Sequence, residues 1–479
     1  MVCSLNSKSV PQFTPAHKIL KKYFGYDEFR KGQLEIVNSI IDNQNTLAIR
    51  STGSGKSICF QVPALYFSGL TLVISPLISL MTDQVDALEK INIPAAFINS
   101  SLSQKQTREV MNKLLDKKYK LIYLSPEKLG SAKFAKFLYQ LDISFIAIDE
   151  AHCISMWGHD FRPSYKKIPL FIDQLKNKPT IAAFTATATA EIQDDIIKSL
   201  HLKNPTIFKQ SSLRTNLCLN VISCFSRAEK QLALIKLLKQ YKNYAGIVYC
   251  STRKSTQMMA NLINYLNIRQ QLTNSKAEAY HGGLESQQRA EIQNNFLHNK
   301  TKIICATNAF GMGVDKSDIR FVIHYQVPAN IENYYQEVGR AGRDGHDSAC
   351  FLLFCQEDVL IQQKLLNNKS QQRYQVESNK LKKMIEIATK GNCLQLQLAE
   401  YFGEQLNYTC GVCGFCTNFH LNLSQKESII WQQIKQHELL SRLPFQTQYY
   451  IALLAPKSGE EWELIPGIGR GILQQLKFP

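Results

Sequence analysis

The sequence predicts an α/β protein with two parallel-sheet lobes in tandem, a helical metal-binding module and a short helical tail. Three observations predict it. Short β-branched runs, apolar on both faces, alternate with amphipathic stretches, the pattern of parallel strands covered by helices. The alternation restarts after about residue 210, and a chain of 479 residues is too long for one core. Four cysteines then close a helix-rich stretch.

In chain order, the first lobe (residues 1–208) offers the strand runs "TLAIR", "TLVIS", "LIYLS", "FIAID" and "IAAFTAT". The second (209–357) offers "GIVYC", "KIICAT", "FVIHY" and "ACFLLF", with amphipathic stretches such as "ESQQRAEIQNNFLHNK" between them. Residues 358–421 read as a helical module ending in the cysteine cluster, and 422–479 as a short tail. Lys and Arg number 56 against 39 Asp and Glu, a formal charge of +17, which favours a polyanionic partner such as nucleic acid. The start, "MVCSLNSKSVPQF", lacks a signal-peptide pattern, and the most apolar run, "LTLVISPLISLM", is too short to span a bilayer. The expectation is a soluble, cytoplasmic protein with no membrane partner. Of the thirteen cysteines, Cys250, Cys305 and Cys350 sit in strand runs and read as reduced, buried small hydrophobes.

"TLAIRSTGSGKS" reads as a strand, a glycine-bearing loop, then Lys and Ser opening a helix. Over Thr52, Gly53, Ser54 and Gly55 the backbone can turn its N–H groups toward a phosphate. Lys56 adds a charge at the β/γ-phosphates, and the Ser57 hydroxyl can ligate Mg²⁺. The strict phosphate-loop pattern fails at residue 50, which is Arg rather than Gly. Taken alone, these residues also fit an ordinary Gly/Ser turn. "FIAIDEAH" supplies the second half of a site: Asp149 to hold Mg²⁺, and Glu150 to polarise the attacking water as general base. In "ENYYQEVGRAGRDG", Gln336, Arg340 and Arg343 recur at three- and four-residue spacing, which predicts one shared helix face, either solvated or serving the phosphates. Cys393, Cys410, Cys413 and Cys416 have the spacing of a four-thiolate Zn²⁺ site, with an iron–sulfur cluster as the rival reading.

The ordered set "FGYDEFRKGQ", "TGSGKS", "VISPLISLMTDQV", "LSPEKL", "DEAHCISMWGHDFRPSY", "FTATAT", "IVYCST", "YHGGL", "ATNAFGMGVDK" and "YYQEVGRAGRDG" closely resembles the RecQ family of superfamily 2 DNA helicases, over roughly residues 15–420. The resemblance implies RecA-like lobes and 3′→5′ unwinding of DNA in replication, recombination or repair, driven by ATP with Mg²⁺. It also implies a structural zinc module, with single-stranded and tailed or branched duplex DNA as partners. By matching motif, Tyr26, Arg30 and Gln33 would stack on and read the adenine. Thr185 and Thr187 would link the ATP site to the DNA path, and Gly313 and Asp315 would line the nucleotide cleft. Arg343 would be the arginine finger, with Arg340 beside it. The segment after "DEAH" would be an aromatic-rich loop whose Trp157, His159, Phe161, Arg162 and Tyr165 contact single-stranded DNA. The alternative for Trp157 and Phe161 is that they plug the groove between the lobes.

Longer family members continue with a winged helix, and often a further helical domain. The 63 residues after Cys416 (479 minus 416) are too few for both, so a truncated C-terminal region is expected. "QKESIIWQQIKQ" reads as the initial helix of a truncated winged-helix module, and "LIPGIG" as a helix–hairpin–helix turn or an ordinary Pro/Gly turn. The competing functions are a DNA-stimulated translocase that unwinds poorly, a non-catalytic zinc-bearing DNA-binding protein, and an RNA-unwinding enzyme.

Overall fold

Each strand run read from the sequence is a strand of one of two parallel sheets in the computed structural model. The structure describes residues 14–475, apart from 52, 159, 271–272, 274, 312–315, 368–369, 422–424, 444–446, 449–450, 453–455, 457, 464 and 466–467. The chain divides into two compact units, one running to Ser212 and including Tyr401–Glu404, the other comprising Leu213–Glu400 and the residues from Gln405 onward.

The first unit holds β1 (Thr46–Ile49), β2 (Leu70–Ile74), β3 (Ala95–Ile98), β4 (Leu121–Leu124), β5 (Ile143–Ile148), β6 (Thr180–Thr185) and β7 (Thr206–Lys209). Their order in the sheet is β3-β4-β2-β5-β6-β1-β7, with every pairing parallel. Successive residues point to opposite faces, so Leu47, Leu72 and Ile146 enter one core while Ala48, Val73 and Phe145 enter another. The second unit holds β8 (Leu217–Ser223), β9 (Ala245–Tyr249), β10 (Ala277–Tyr280), β11 (Ile303–Ala306), β12 (Ile319–His324) and β13 (Ser348–Phe354), in the order β10-β11-β9-β12-β13-β8, again all parallel.

The strands that the sequence did not mark are β3, β7, β8 and β10. They are the four sheet edges. An edge strand is only half covered and carries polar residues that discourage further pairing. β7 is largely exposed, β8 carries Asn220 and β10 carries Glu278, so a search for continuous apolar runs passes over them.

The helical module and the tail belong to the second compact unit apart from Tyr401–Glu404, rather than standing as bodies of their own. "QKESIIWQQIKQ" is the helix Gln425–Gln436, as read. Ile434, Leu440, Ile451, Ala452, Ile465 and Ile468 join the same apolar cluster as Leu234, Ile263, Phe321 and Phe351. The residues flanking "LIPGIG" form short helices, Gly459–Glu463 and Arg470–Gln475, while half of the turn lies outside the described residues. Among the described residues, no helix is long and apolar enough to cross a membrane.

Candidate functional site

In the first unit, β5, β6 and β1 are neighbours, so their C-terminal ends gather on one edge of the sheet. That edge brings together the 50–57 loop, the Asp149–Glu150 pair and Thr185. Gly53 (φ 75°) and Gly55 (φ 78°) take the left-handed conformation that the loop needs before the helix Ile58–Tyr66. Side chains from the loop at residues 30–33 grip its carbonyl groups. Arg30 Nη1 donates to Gly53 O at 3.0 Å, and Gln33 Nε2 donates to Gly55 O at 2.9 Å and Ser54 O at 3.3 Å. Because a trans peptide points C=O and N–H in opposite directions, the amides of Gly55 and Lys56 face away from Gln33. Ser54 Oγ donates to Ser51 O at 2.7 Å, and Lys56 Nζ donates to Arg50 O at 3.2 Å. Ser57 opens the helix as its N-cap. Tyr26 is 58% exposed, leaving its ring face open to a ligand, while the Gln33 amide already bonds the chain's own backbone at both ends.

Asp149 is buried at the end of β5, and its amide donates to Ile74 O at 2.8 Å. Burial, and then the charge of Glu150, push its carboxyl from the ordinary 3.8 up to about 7, against the pull of Lys56 and of the Glu150 N–H that it accepts at 3.0 Å. An acid whose folded pKa is raised costs stability as pH climbs from 3.8 to about 7, and carries the full cost above that. Asp149→Asn is therefore expected to raise the Tm of the ligand-free protein at pH 8, by about 2–4 °C per kcal/mol relieved. Differential scanning calorimetry at pH 8 and at pH 4 checks this, since the gain should shrink at pH 4.

Glu150 takes a left-handed backbone (φ 47°), which swings its side chain off the strand direction. Its Oε2 lies 3.4 Å from His152 Nδ1, which is 2.9 Å from Thr185 Oγ1, and Thr185 Oγ1 donates to Thr187 O at 3.1 Å. A polar path thus runs from the acid to "TAT", hydrogen-bonded from His152 onward, while Glu150 Oε2 only approaches the imidazole and has no hydrogen-bond partner among the described residues. His152 was read only as part of "DEAH", and its linking role depends on a contact 33 residues away in sequence.

The aromatic loop hangs on the same turn. Arg162 N donates to Cys153 O at 2.9 Å, and a Cβ on Gly158 would stand 2.4 Å from His152 O. Trp157 is 49% exposed at the loop's tip, and Phe161 is half-buried with Lys166 Nζ 5.4 Å above its ring. Arg162 is paired with Asp160 at 3.0 Å and donates to Pro76 O at 3.1 Å. Tyr165 corrects the sequence reading: it is fully buried, and its hydroxyl donates to Asp149 O at 2.8 Å. A ring with no exposed face cannot stack on a base, so Tyr165 positions the acid instead. Thr52, His159, Gly313 and Asp315 lie outside the described residues.

In the second unit, Gln336 lies half-buried on the helix Ile331–Val338. That helix ends before either arginine, so the predicted shared face is also corrected. Gly339 caps it, and Gly342 (φ 57°), whose amide donates to Ile319 O at 2.9 Å, turns the chain away. Arg340 is buried and its Nη1 donates to Gly311 O. Arg343 is only half-buried, in the turn beyond.

The four cysteines do converge. The Sγ atoms of Cys393, Cys410, Cys413 and Cys416 lie within 4.8 Å of one another. Cys410–Cys416 and Cys413–Cys393 are 3.9 Å apart, and Cys413–Cys416 is 3.5 Å. A tetrahedral ion with Zn–S bonds near 2.3 Å sets its sulfurs about 3.8 Å apart, whereas a multi-iron cluster spreads its thiolates wider. The donor set therefore fits one tetrahedral metal ion. Burial pushes the Cys413 thiol up, but backbone N–H groups of Cys416 and Leu394 and the neighbouring thiols outweigh it and hold the thiol down at about 7, primed for a cation. The knuckle docks on β8, where Gly414 N donates to Leu219 O at 2.7 Å, and a Cβ on Gly414 would stand 2.6 Å from the Asn220 carboxamide oxygen.

Comparison with known proteins matches three family models: DEAD/DEAH box helicase over residues 30–195, helicase conserved C-terminal domain over 229–345, and RecQ zinc-binding over 356–417. The chain is 45% identical over 405 residues to the ATP-dependent DNA helicase RecQ of Bacillus subtilis, covering 84% of this chain and 67% of that protein. It is 41% identical over 402 residues to the ATP-dependent DNA helicase RecQ of Haemophilus influenzae, covering 84% of this chain and 63% of that one. The matched region thus spans about two thirds of these relatives' length. Among solved structures, the DEAD-box helicase Mss116 bound to single-stranded RNA and UDP-BeF superposes with a TM-score of 0.60 at 15% identity, over 96% of this chain and 92% of that one, a likeness of fold.

Proposed function

The chain belongs to the RecQ family of helicases, and from that premise we propose that it is an ATP-dependent DNA helicase that translocates 3′→5′ along single-stranded DNA and separates tailed or branched duplexes. The observation that carries this reading is the DEAH turn. It presents Glu150 toward the polar path through His152, and on the same few residues it mounts a loop with an exposed Trp157. A base stacking on Trp157 would pull on the backbone that positions the acid, which is a direct way for DNA to stimulate hydrolysis.

In this reading the amides of Gly55 and Lys56 and the Lys56 ammonium bind the β- and γ-phosphates, and Tyr26, Arg30 and Gln33 receive the adenine. Ser57 and Asp149 are the residues that would hold Mg²⁺, which supplies positive charge on the phosphate oxygens. Glu150 orients and deprotonates the attacking water, with His152, itself held by Thr185, beside its carboxylate. Arg343 is the proposed arginine finger. Arg340, tied to Gly311 O, is assigned to holding the turn that carries it, and Gln336 to the same phosphate side. The four cysteines would hold one Zn²⁺ in a structural role. The proposed place of work is the cytoplasm, on DNA.

A strand-displacement assay on duplexes with 3′ or 5′ tails tests the proposal. The wild type should open the 3′-tailed DNA duplex, and Trp157→Ala should lower DNA-stimulated hydrolysis by about 5- to 150-fold, as loss of a stacked base of roughly 1–3 kcal/mol implies, with basal hydrolysis retained. Hydrolysis without displacement on either substrate would leave a translocase. A preference for an RNA tail would assign the activity to RNA.

A further inference from the structure

Arg50 stands where the phosphate-loop pattern has a glycine, and the structure gives it work that the motif does not contain. Its backbone continues the sheet edge, with N donating to Thr185 O at 3.0 Å and O accepting from Lys56 Nζ at 3.2 Å. Its side chain folds inward and is almost entirely buried. There Nη2 donates to Lys31 O at 3.1 Å and to Ser54 O at 3.4 Å, so one guanidinium touches both the 30–33 loop and the phosphate loop. The fit is close: a Cβ on Gly32 (φ 79°) would stand 2.7 Å from Arg50 Nη1. Among the described residues no carboxylate forms an ion pair with it, and its Nε–H has no hydrogen-bond partner. Burial accordingly pulls its pKa below the ordinary value.

We infer that Arg50 is a positioning residue for nucleotide binding, a fixed tie that keeps the adenine loop and the phosphate loop in register while Gln33 changes partners. This rests on the ATP-binding reading above. The other ties between the two loops come from Arg30 and Gln33, whose side chains are also the adenine-facing groups. When a base arrives, the Gln33 amide must be shared between Ser54 O, Gly55 O and the ligand. The Arg50 guanidinium lies beneath the loop, out of a base's reach, so Ser54 O keeps its donor and the amides of Gly55 and Lys56 keep their direction.

The test compares Arg50→Met and Arg50→Gln with wild type by titration with a fluorescent ADP, by steady-state hydrolysis and by thermal unfolding. Met fills the volume without the donors. Its ADP Kd and ATP KM should rise on the order of tenfold, the weight of a charge-assisted hydrogen bond, with kcat within about threefold. Its Tm should hold or rise, because an incompletely paired buried charge is gone. Gln, with two amide N–H donors, should restore much of the affinity. Arg50→Met with unchanged Kd and KM, or with a lowered Tm and a kcat loss alone, would overturn the inference, as would a Gln variant no better than Met. The titration decides this even for a wild type that hydrolyses no ATP, an outcome that would sink the helicase reading separately.

Discussion

Lys56→Ala is expected to lower ATP hydrolysis by about 10³-fold, the scale on which removing a single fixed charge or donor from a reacting phosphoryl or acyl group acts. Binding to single-stranded DNA should stay within about twofold. Two losses combine. The ammonium that would neutralise the transferring phosphate is removed, and Asp149 loses the cation that holds its carboxyl down against burial and Glu150. With that pull gone the Asp149 carboxyl is pushed further up, so more of it stays protonated and unable to serve a metal ion. DNA binding should be spared because the exposed Trp157 is borne by the 153–165 loop, whose hydrogen bonds among the described residues reach Asp149 O, Glu150 O, Glu127 and Pro76 O but not Lys56. Steady-state hydrolysis beside fluorescence anisotropy with a labelled oligonucleotide measures both. Parallel loss of DNA affinity would mean that Lys56 acts on the fold, and unchanged hydrolysis would leave a zinc-bearing DNA-binding protein.

Cys413→Ser is expected to abolish binding of the one zinc proposed per chain and to lower the unfolding temperature of the second unit by about 10 °C. Structural zinc sites contribute roughly 10–16 kcal/mol to the folding of small peptides, and a domain of this size shifts about 2–4 °C per kcal/mol, so recovering under half of that suffices. The damage should spread because the knuckle is built onto β8. Gly414 N bonds Leu219 O, and Gln395, two residues past Cys393, donates to Arg214 O at 2.7 Å and Leu217 O at 2.9 Å. Elemental analysis gives the metal count, and hydrogen exchange should show Leu217–Ser223 losing protection together with the cysteine loop. Iron in place of zinc, or exchange confined to the cysteine loop, would contradict the prediction.

What could be read from the sequence was chemistry carried by neighbours in the chain. "TGSGKS" and "DEAH" are contiguous, so their residue types together suggest a phosphate loop and an acid pair, and the structure brings both to one sheet edge. The cysteines could be read for the same reason, since three of them fall within seven residues. Tyr165 could not. Nothing local separates a ring that stacks on DNA from one buried under Asp149. Arg50 and His152 were missed because their partners, Lys31 and Thr185, are 19 and 33 residues away. The arginine helix was over-extended because a three- and four-residue rhythm continues through Gly339 and Gly342, where the backbone does not.

Gly158 divides its loop into two kinds of position. A methyl group there would strike the His152 carbonyl, so any side chain at 158 would disturb the hydrolytic machinery directly. Met156 and Trp157, both exposed one and two residues earlier, carry no such constraint. In the proposed reading, change at the tip would therefore alter how strongly DNA stimulates turnover while leaving basal hydrolysis in place. The glycine thus marks where the exposed tip, the proposed place of DNA contact, meets the turn that holds the acid.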